Sequence, residues 1–372
     1  MRILVTVNPA PGHLFALVPL AWALHLDGHE VLVAAPQSLA QQVRRASLST
    51  AVVGGNASFL EHWPAGRKLG GNPDLDLTVF VAIAEQTAAD LIRLVRAWRP
   101  DLIVSEPVEY AGPLAATLTG TPWVRHHWGL PVPDRLRRAA EAGVADRLER
   151  LHLAHDLWRP VDAPFATIDT CPPSLRDERG HLEMRYVPYN GAGTMPDWLF
   201  EPPSRPRVCV SMGTVPIPEG VDGLAAAVAG LAELDVEVVV SGAGVHGVGE
   251  LPANARRVAW IPHHHLLPSC DLFVHHGGSG SSMAAIVAGR PQLVLPQMCD
   301  QFAIADRLTD AGIARCVPFT DRTADVVRDA ATHVLADPKC RRRAEELREE
   351  VAGMPAPTAV AASLVSLVRP AH

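Results

Sequence analysis

The chain has 372 residues, 48% of them hydrophobic and 20% charged, enough apolar side chains for two buried cores rather than one. Its net charge at pH 7 is −7 and it has no basic run, which argues against a nucleic-acid-binding surface. No run of about 18 uncharged apolar residues is present to span a bilayer. Pro9, Pro11 and Gly12 end the first apolar run too early for a secretory signal. We therefore expect a cytoplasmic two-domain protein whose partners are small molecules.

Short apolar runs alternate with longer stretches of helical period, a pattern typical of βα units in parallel sheets. In the first half of the chain, strands are predicted at 2–7, 29–35, 49–53, 101–105 and 121–125. In the second half, they are predicted at 207–212, 236–241, 255–261, 272–276, 291–296 and 314–317. The fold class is therefore α/β, with two Rossmann-like doubly wound domains facing each other across a cleft.

The segment 189–207 is rich in glycine and proline and has no regular period, which indicates a linker between two domains. We assign an N-terminal domain to 1–200 and a C-terminal domain to 201–352. The remaining segment, 353–372, follows a helical stretch that Pro355 and Pro357 interrupt. We expect this last helix to pack back on the N-terminal domain.

The stretch HHGGSGSSMAA at 275–285 follows a predicted strand and leads into a helix predicted from about Ser281 to Ala288. Its glycines allow close approach of a ligand to the backbone, and Ser279, Ser281 or Ser282 can cap the helix. Free N–H groups at a helix N-terminus favour an anion, and His276 adds a donor or a charge. The pattern predicts a phosphate site; a capped βα turn without a ligand is the alternative.

Three other strands of the second half end in polar or aromatic residues. Gly213 and Thr214 in SMGT follow one strand, Trp260 follows another, and Asp300 with Gln301 follows a third. An indole can stack on a nucleobase, although core packing is an equally valid interpretation of Trp260, and the last pair is suited to binding hydroxyls. Ligands of open α/β sheets bind at the carboxyl ends of strands. These residues together predict a nucleotide-sugar site.

The motifs GH, SMGT, WIP, HHGGSGSSMAA, PQLVLPQ and DQ resemble the family 1 glycosyltransferases of the GT-B fold. The resemblance covers essentially the whole chain and is strongest to the actinobacterial enzymes that transfer deoxysugars from dTDP onto polyketide and macrolide aglycones. It implies no cofactor, no metal and a dTDP-sugar co-substrate. The donor-binding positions that it implies are Gly213, Thr214, Trp260, His276, Gly278, Ser279, Gly280, Ser281, Asp300 and Gln301. Plant relatives have a ribose-binding glutamate where this chain has Ala284, which is compatible with a donor that lacks a 2′-hydroxyl.

His13 lies in the loop after the first strand, where it faces the cleft from the N-terminal domain. A histidine is largely neutral at pH 7 and can accept a proton from an acceptor hydroxyl. In the family this position is the general base, and Glu106, after the strand 101–105, is the carboxylate expected to orient it. Relatives commonly have aspartate there. A locally hydrogen-bonded histidine at a helix start is the alternative interpretation.

The acceptor is expected to enter from the N-terminal domain, through the loop at 54–76 and the segment 125–136. The aromatic side chains in these segments can line an apolar pocket, although they can equally anchor the loops. The candidate acceptor-binding residues are Phe59, Trp63, His126, His127 and Trp128.

Three other patterns suggest different chemistry and are set aside. GAGVHG at 242–247 matches a dinucleotide motif, but the required helix and acidic residue do not follow. DLD at 74–76 is interpreted as a helix cap, and the paired histidines lack zinc-site spacing.

The predicted function is inverting, metal-independent sugar transfer from a dTDP-sugar to a hydrophobic aglycone. A UDP-sugar epimerase and a catalytically silent helper are the alternatives, a homodimer is allowed, and O- and C-glycosylation are not separated.

Overall fold

A computed structural model describes residues 1–62, 71, 76–176, 182–215, 218–242, 245–258 and 260–368. The strands are β1 (Arg2–Thr6), β2 (Glu30–Ala35), β3 (Ser49–Val52), β4 (Leu102–Ser105), β5 (Trp123–His126), β6 (Ala166–Asp169), β7 (Leu182–Glu183), β8 (Arg207–Ser211), β9 (Glu237–Ser241), β10 (Ala255–Arg257), β11 (Leu272–His275), β12 (Gln292–Val294) and β13 (Ala314–Cys316). The α-helices are α1 (Pro11–Leu26), α2 (Gln37–Arg45), α3 (Thr78–Trp98), α4 (Ala111–Thr119), α5 (Asp134–Leu153), α6 (Pro218–Leu231), α7 (His263–Leu266), α8 (Ser279–Ala288), α9 (Asp300–Asp310), α10 (Ala324–Ala336), α11 (Pro338–Ala352) and α12 (Pro357–Val368).

The strands form two parallel sheets, one in each half of the chain. The N-terminal sheet has the order β3-β2-β1-β4-β5-β6-β7, and the C-terminal sheet has the order β10-β9-β8-β11-β12-β13. Most of the central strands are buried, because helices cover both faces of each sheet. In each sheet the strand order reverses once, between β1 and β4 and between β8 and β11. Ligand sites of such sheets lie at these reversal points.

The observed strands differ from the predicted ones in the middle of the chain. β6 and β7 were not predicted; β6 has four residues and β7 has two, too short for a recognisable alternating pattern. β10 ends at Arg257 rather than at residue 261, so Trp260 and Ile261 lie in the loop beyond the strand. Helix α8 begins at Ser279, two residues before its predicted start.

The last helix, α12, is separate from α11 and packs on the N-terminal domain. Val360, Ala361 and Leu364 lie in the same buried cluster as side chains of β1, β2 and α1. A backbone hydrogen bond of 2.7 Å from Arg185 N–H to the carbonyl of Pro355 fixes the segment between α11 and α12. Among the described residues, no single helix is long and apolar enough to cross a membrane; α11 and α12 pass that test only as a pair bent by 41°.

A buried carboxyl group connects β1 to the start of α4, next to the predicted catalytic residues. Glu109 accepts hydrogen bonds from the backbone N–H groups of Ala111 and Gly112 and from the hydroxyl of Thr6. Thr6 in turn lies 2.7 Å, oxygen to oxygen, from Ser105 at the end of β4. Burial raises the pKa of Glu109 to about 7, and the nearby Glu106 carboxylate also raises it.

Replacing Leu364 by alanine tests whether α12 belongs to the N-terminal core. Leu364 is 0% exposed, and removing a buried leucine side chain typically costs about 2–5 kcal/mol of stability. Denaturant unfolding followed by tryptophan fluorescence measures the change. Leu367→Ala is the matched control, because Leu367 lies one turn away and is 46% exposed; equal losses in both variants would contradict the packing.

The raised pKa of Glu109 predicts that the free energy of unfolding falls as the pH rises. Its pKa is about 7 in the folded protein and about 4.3 when unfolded, so the folded state binds more protons between these values. The stabilisation is complete below about pH 4.3 and is lost through pH 7, with a total change on the order of 3 kcal/mol. The unfolding free energy of the wild type should fall from pH 5 to 8, whereas that of Glu109→Gln, whose amide does not titrate, should lose this slope. The exposed Glu345→Gln variant should keep the wild-type slope, and an unchanged slope in Glu109→Gln would refute the assignment.

Candidate active site

A cavity of about 610 Å³ lies between the two domains, within the range of sites for small molecules. The loops that follow β1, β8 and β11 line it. β1 and β4 are hydrogen-bonded neighbours, and so are β8 and β11. The strand reversals therefore place residues that are distant in sequence side by side at the cavity.

His13 and Glu106 form a hydrogen-bonded pair on the N-terminal side. His13 lies in the first turn of α1, and its Nδ1 is 2.9 Å from Oε1 of Glu106. Glu106, 1% exposed, also accepts hydrogen bonds from the side-chain amide of Asn8 and from the backbone N–H of Val108. The longer glutamate therefore reaches His13, and it directs the other ring nitrogen, Nε2, away from the carboxylate.

Aromatic side chains hold the His13 ring at the cavity wall. Its centroid is 4.3 Å from that of Trp128 and 5.7 Å from that of Phe80. Phe80 was not predicted as a site residue, because its position within the apolar period of α3 is typical of a core side chain. These contacts restrict the imidazole to an orientation that its hydrogen bond to Glu106 also favours.

Helix α8 points its N-terminus at the cavity from the C-terminal domain. The N-cap residue is Gly278, and no side-chain hydrogen bond caps the helix, which contradicts the expectation that a serine does so. The hydroxyl of Ser279 is buried and has no hydrogen-bond partner among the described residues. Ser279, Gly280 and Ser281 all line the cavity. An anion at this position would accept hydrogen bonds from the free N–H groups, and the helix dipole would stabilise its charge.

The His276 ring is enclosed by two glycines. A Cβ atom on Gly213 would lie 2.6 Å from its Cε1 atom, and one on Gly278 would lie 2.4 Å from its Nε2 atom. Burial lowers the pKa of His276 to about 4, although the backbone carbonyl of Ser211 opposes the shift. The imidazole is therefore neutral at pH 7, and it offers a neutral N–H donor rather than a positive charge.

Trp260 and Thr214 complete the donor side of the cavity. The Trp260 indole donates a hydrogen bond of 2.8 Å to the carbonyl of Asn190, in the linker between the domains. Since that bond occupies the indole N–H, only the ring surface remains for stacking on a ligand.

Asp300 and Gln301 begin α9, and both line the cavity. Burial raises the pKa of Asp300 to about 6, and His13 lines the same cavity from the N-terminal domain. The Gln301 Oε1 atom accepts hydrogen bonds from the backbone N–H groups of Gln297 and Met298. Only its side-chain amide N–H groups therefore remain for a ligand.

The structure separates the predicted acceptor-binding residues into three groups. Phe59, His127 and Trp128 line the cavity. His126 does not: it is 0% exposed, its Nδ1 bonds to the carbonyl of His127, and burial lowers its pKa to about 4. Trp63 lies outside the described residues. The prediction for His126 was wrong because successive residues at the end of a strand point to opposite faces of the sheet.

Other lining residues carried no motif and were missed. Tyr110 and Arg125 lie on the acceptor side, and Ser241 with Gly242 lie on the donor side, where the dinucleotide-like motif had been set aside. Ala284 lies in the apolar core and is not a lining residue, so its identity does not distinguish between nucleotides. Within the described part of the chain, no three histidine, cysteine, aspartate or glutamate side chains are grouped to hold a metal ion.

Known proteins share this architecture over the full chain. Family models for the N-terminal and C-terminal domains of erythromycin biosynthesis protein CIII-like proteins match residues 69–213 and 225–367. The L-demethylnoviosyl transferase of Streptomyces niveus is 39% identical over 98% of each chain. The spinosyn rhamnosyltransferase SpnG has a TM-score of 0.84 at 34% identity, covering 98% of this chain and 100% of that one.

A further structure extends the similarity to a nucleotide complex. The glycosyltransferase VinC, solved with dTDP, has a TM-score of 0.83 at 32% identity and covers 99% of each chain. The predicted fold class, two Rossmann-like domains facing across a cleft, is confirmed by these matches. The chain belongs to the erythromycin biosynthesis protein CIII-like family and is a glycosyltransferase of the GT-B fold.

Proposed function

We propose that the enzyme transfers a deoxysugar from a dTDP-sugar to a hydrophobic polyketide-type aglycone, with inversion at the anomeric carbon and without a metal. One observation carries this proposal: the His13–Glu106 pair and the uncapped N-terminus of α8 line or support opposite walls of the same cavity. A proton acceptor on one side and an anion site on the other are the two groups that the displacement of a diphosphate requires.

The donor is placed on the C-terminal side. Its diphosphate would accept hydrogen bonds from the N–H groups at the start of α8, from the Ser279 hydroxyl and from the neutral imidazole of His276. Thr214 would contact it from the loop after β8, and the ring of Trp260 would lie at the base. Asp300 and the Gln301 amide would bind sugar hydroxyls. VinC was solved with dTDP, which supports thymidine as the nucleoside of this donor.

The reaction follows from the position of His13. Its Nε2 atom accepts the proton of the acceptor hydroxyl while the acceptor oxygen forms a bond to the anomeric carbon. The bond between that carbon and the diphosphate oxygen breaks, and dTDP leaves with the negative charge. Glu106 stabilises the imidazolium that forms. Attack from the face opposite the leaving group inverts the anomeric configuration.

The acceptor is placed against the N-terminal side, beside Phe59, Phe80 and Trp128. The spinosyn rhamnosyltransferase was solved with its spinosyn aglycone, which supports an acceptor of this class. Aromatic side chains line the N-terminal side of the cavity, whereas an epimerase acts on one sugar alone and needs no aglycone pocket. A silent helper has no use for a buried His13–Glu106 pair.

Nucleotide selectivity tests the donor. We expect dTDP to stabilise the protein against unfolding by about 2.7 kcal/mol at roughly 100 times its Kd, and UDP and NAD to stabilise it much less at equal concentration. Thermal unfolding and titration calorimetry measure both quantities. A preference for UDP would refute the dTDP assignment, and no binding of either diphosphate would refute the donor site.

A pair of glycine variants locates the nucleotide. Gly278→Ala places a Cβ 2.4 Å from His276 Nε2 and should weaken dTDP binding by about 10-fold or more, because the imidazole must move. Gly143→Ala, in α5 with nothing within 4 Å of the new Cβ, should leave the Kd unchanged. Equal affinities of the two variants would place the diphosphate elsewhere.

Removing the base separates catalysis from donor binding. We expect His13→Ala to lower kcat by about 10²–10⁴-fold and to leave the Kd for dTDP unchanged, because His13 lies on the acceptor wall. Transfer assays with a dTDP-sugar and calorimetry with dTDP give the two numbers. His25→Ala, an exposed residue of the same helix, is the control and should keep full activity. Retention of most activity in His13→Ala would show that another group takes the proton.

A further inference from the structure

Arg125 lines the cavity, and no described residue of the chain acts as its counter-ion. It lies on β5, and its side chain is partly buried in the wall that faces the acceptor half of the cavity. Its guanidinium carbon is 5.4 Å from the ring centroid of Trp123. Among the residues that the structure describes, no carboxylate lies within ion-pair distance of Arg125 and no hydrogen bond satisfies its guanidinium.

Nearby carboxylates are already paired with other arginines. Arg137 lies 2.7 Å from Glu141 and 3.1 Å from Asp134, and Asp134 also pairs with Arg138 at 2.9 Å. These two arginines and two carboxylates balance each other in charge. They leave no negative charge in excess for Arg125.

The carboxylate on the neighbouring strand is also engaged. Asp169, at the end of β6, lies 3.2 Å from Arg176 and accepts the backbone N–H of Cys171. Arg176 binds Glu183 as well. Arg137 and Arg176 thus each have two acidic partners, and Arg125, on the same side of the cavity, has none.

A partly buried guanidinium without a counter-ion is costly, because burial disfavours a charge that no hydrogen bond or counter-ion compensates. Burial accordingly lowers the pKa of Arg125, but arginine remains protonated at neutral pH. Tyr110 lines the cavity beside it, and burial raises the pKa of this phenol, so its hydroxyl stays a donor. The two side chains together offer a planar cation and a neutral O–H to a ligand oxygen.

We propose that Arg125 binds an acidic group of the acceptor, so that the aglycone of this enzyme is an apolar molecule with a carboxylate or an equally acidic oxyanion. This inference rests on the proposed function, since it takes the acceptor to occupy the N-terminal half of the cavity. The titratable groups that act on Arg125, which are Arg137, Glu141 and Tyr110, all belong to the N-terminal domain. The diphosphate site, by contrast, is built from the C-terminal domain. Bidentate binding of a carboxylate is the interaction for which the guanidinium geometry is suited.

A matched pair of probes tests the proposal: 6-hydroxy-2-naphthoate and its methyl ester, which differ in one negative charge. Calorimetry at pH 7.5 in the presence of dTDP measures both affinities. We expect the wild type to bind the acid at least 10-fold more tightly than the ester. Arg125→Met should weaken binding of the acid by about 10- to 100-fold, as expected for loss of a charge-assisted hydrogen bond, and leave the ester within threefold of its wild-type affinity.

Two further variants distinguish charge from packing. Arg125→Lys keeps the charge and should retain part of the preference for the acid. Arg93→Met removes an exposed arginine of α3 that pairs with Asp90 on its own helix, and should change neither affinity. The wild-type preference alone tests the inference if Arg125→Met does not fold.

Several results would overturn the inference. They are equal affinity of the wild type for acid and ester, absence of binding of the acid, and equal weakening of both probes in Arg125→Met. Loss of dTDP binding in Arg125→Met would instead assign the residue to the donor. Failure of dTDP to bind the wild type would contradict the proposed donor, while a preference for the acid that depends on Arg125 would still support the acidic ligand.

Discussion

Two parallel strand pairings determine the geometry of the active site. Thr6 pairs with Ser105 where β1 and β4 meet, and Ser211 pairs with His275 where β8 and β11 meet. Each pairing joins strands that are far apart in the chain, so the loops beyond them converge. His13 and Glu106 follow the first pair, and the glycines around His276 follow the second. Any change in the register of these strands would separate the base from its carboxylate and the imidazole from its helix.

Burial makes the imidazole on the donor side of the cavity a neutral dipole. His276 is neutral at pH 7 because its pKa is about 4, and the N-terminus of α8 contributes partial charges rather than a formal one. Such groups are already oriented and need little reorganisation when charge develops on a leaving diphosphate. His13 and Arg125, by contrast, line the half of the cavity assigned to the acceptor.

The two domains are held together by contacts at opposite sides of the cleft. Helix α12 returns to the N-terminal core through Val360, Ala361 and Leu364. On the other side, a Cβ on Gly129, in the loop after β5, would lie 2.8 Å from the Ser279 hydroxyl, so this glycine permits close approach of the two walls. The distance across the cavity therefore depends on packing between segments from both ends of the chain.

Local patterns in the sequence determined the two-domain α/β architecture and the donor loop, because buried parallel strands are continuous apolar runs and glycine clusters are needed wherever a backbone approaches a ligand. The pairing of His13 with Glu106 was predicted only through family resemblance, and its 2.9 Å geometry came from the fold. Tertiary structure alone decided that Arg125 lines the cavity and that His126, which was predicted together with His127, is buried. It also decided that Phe80, in a helix, supports the base. These outcomes depend on which face of an element meets a distant segment, and nothing local in the chain encodes that.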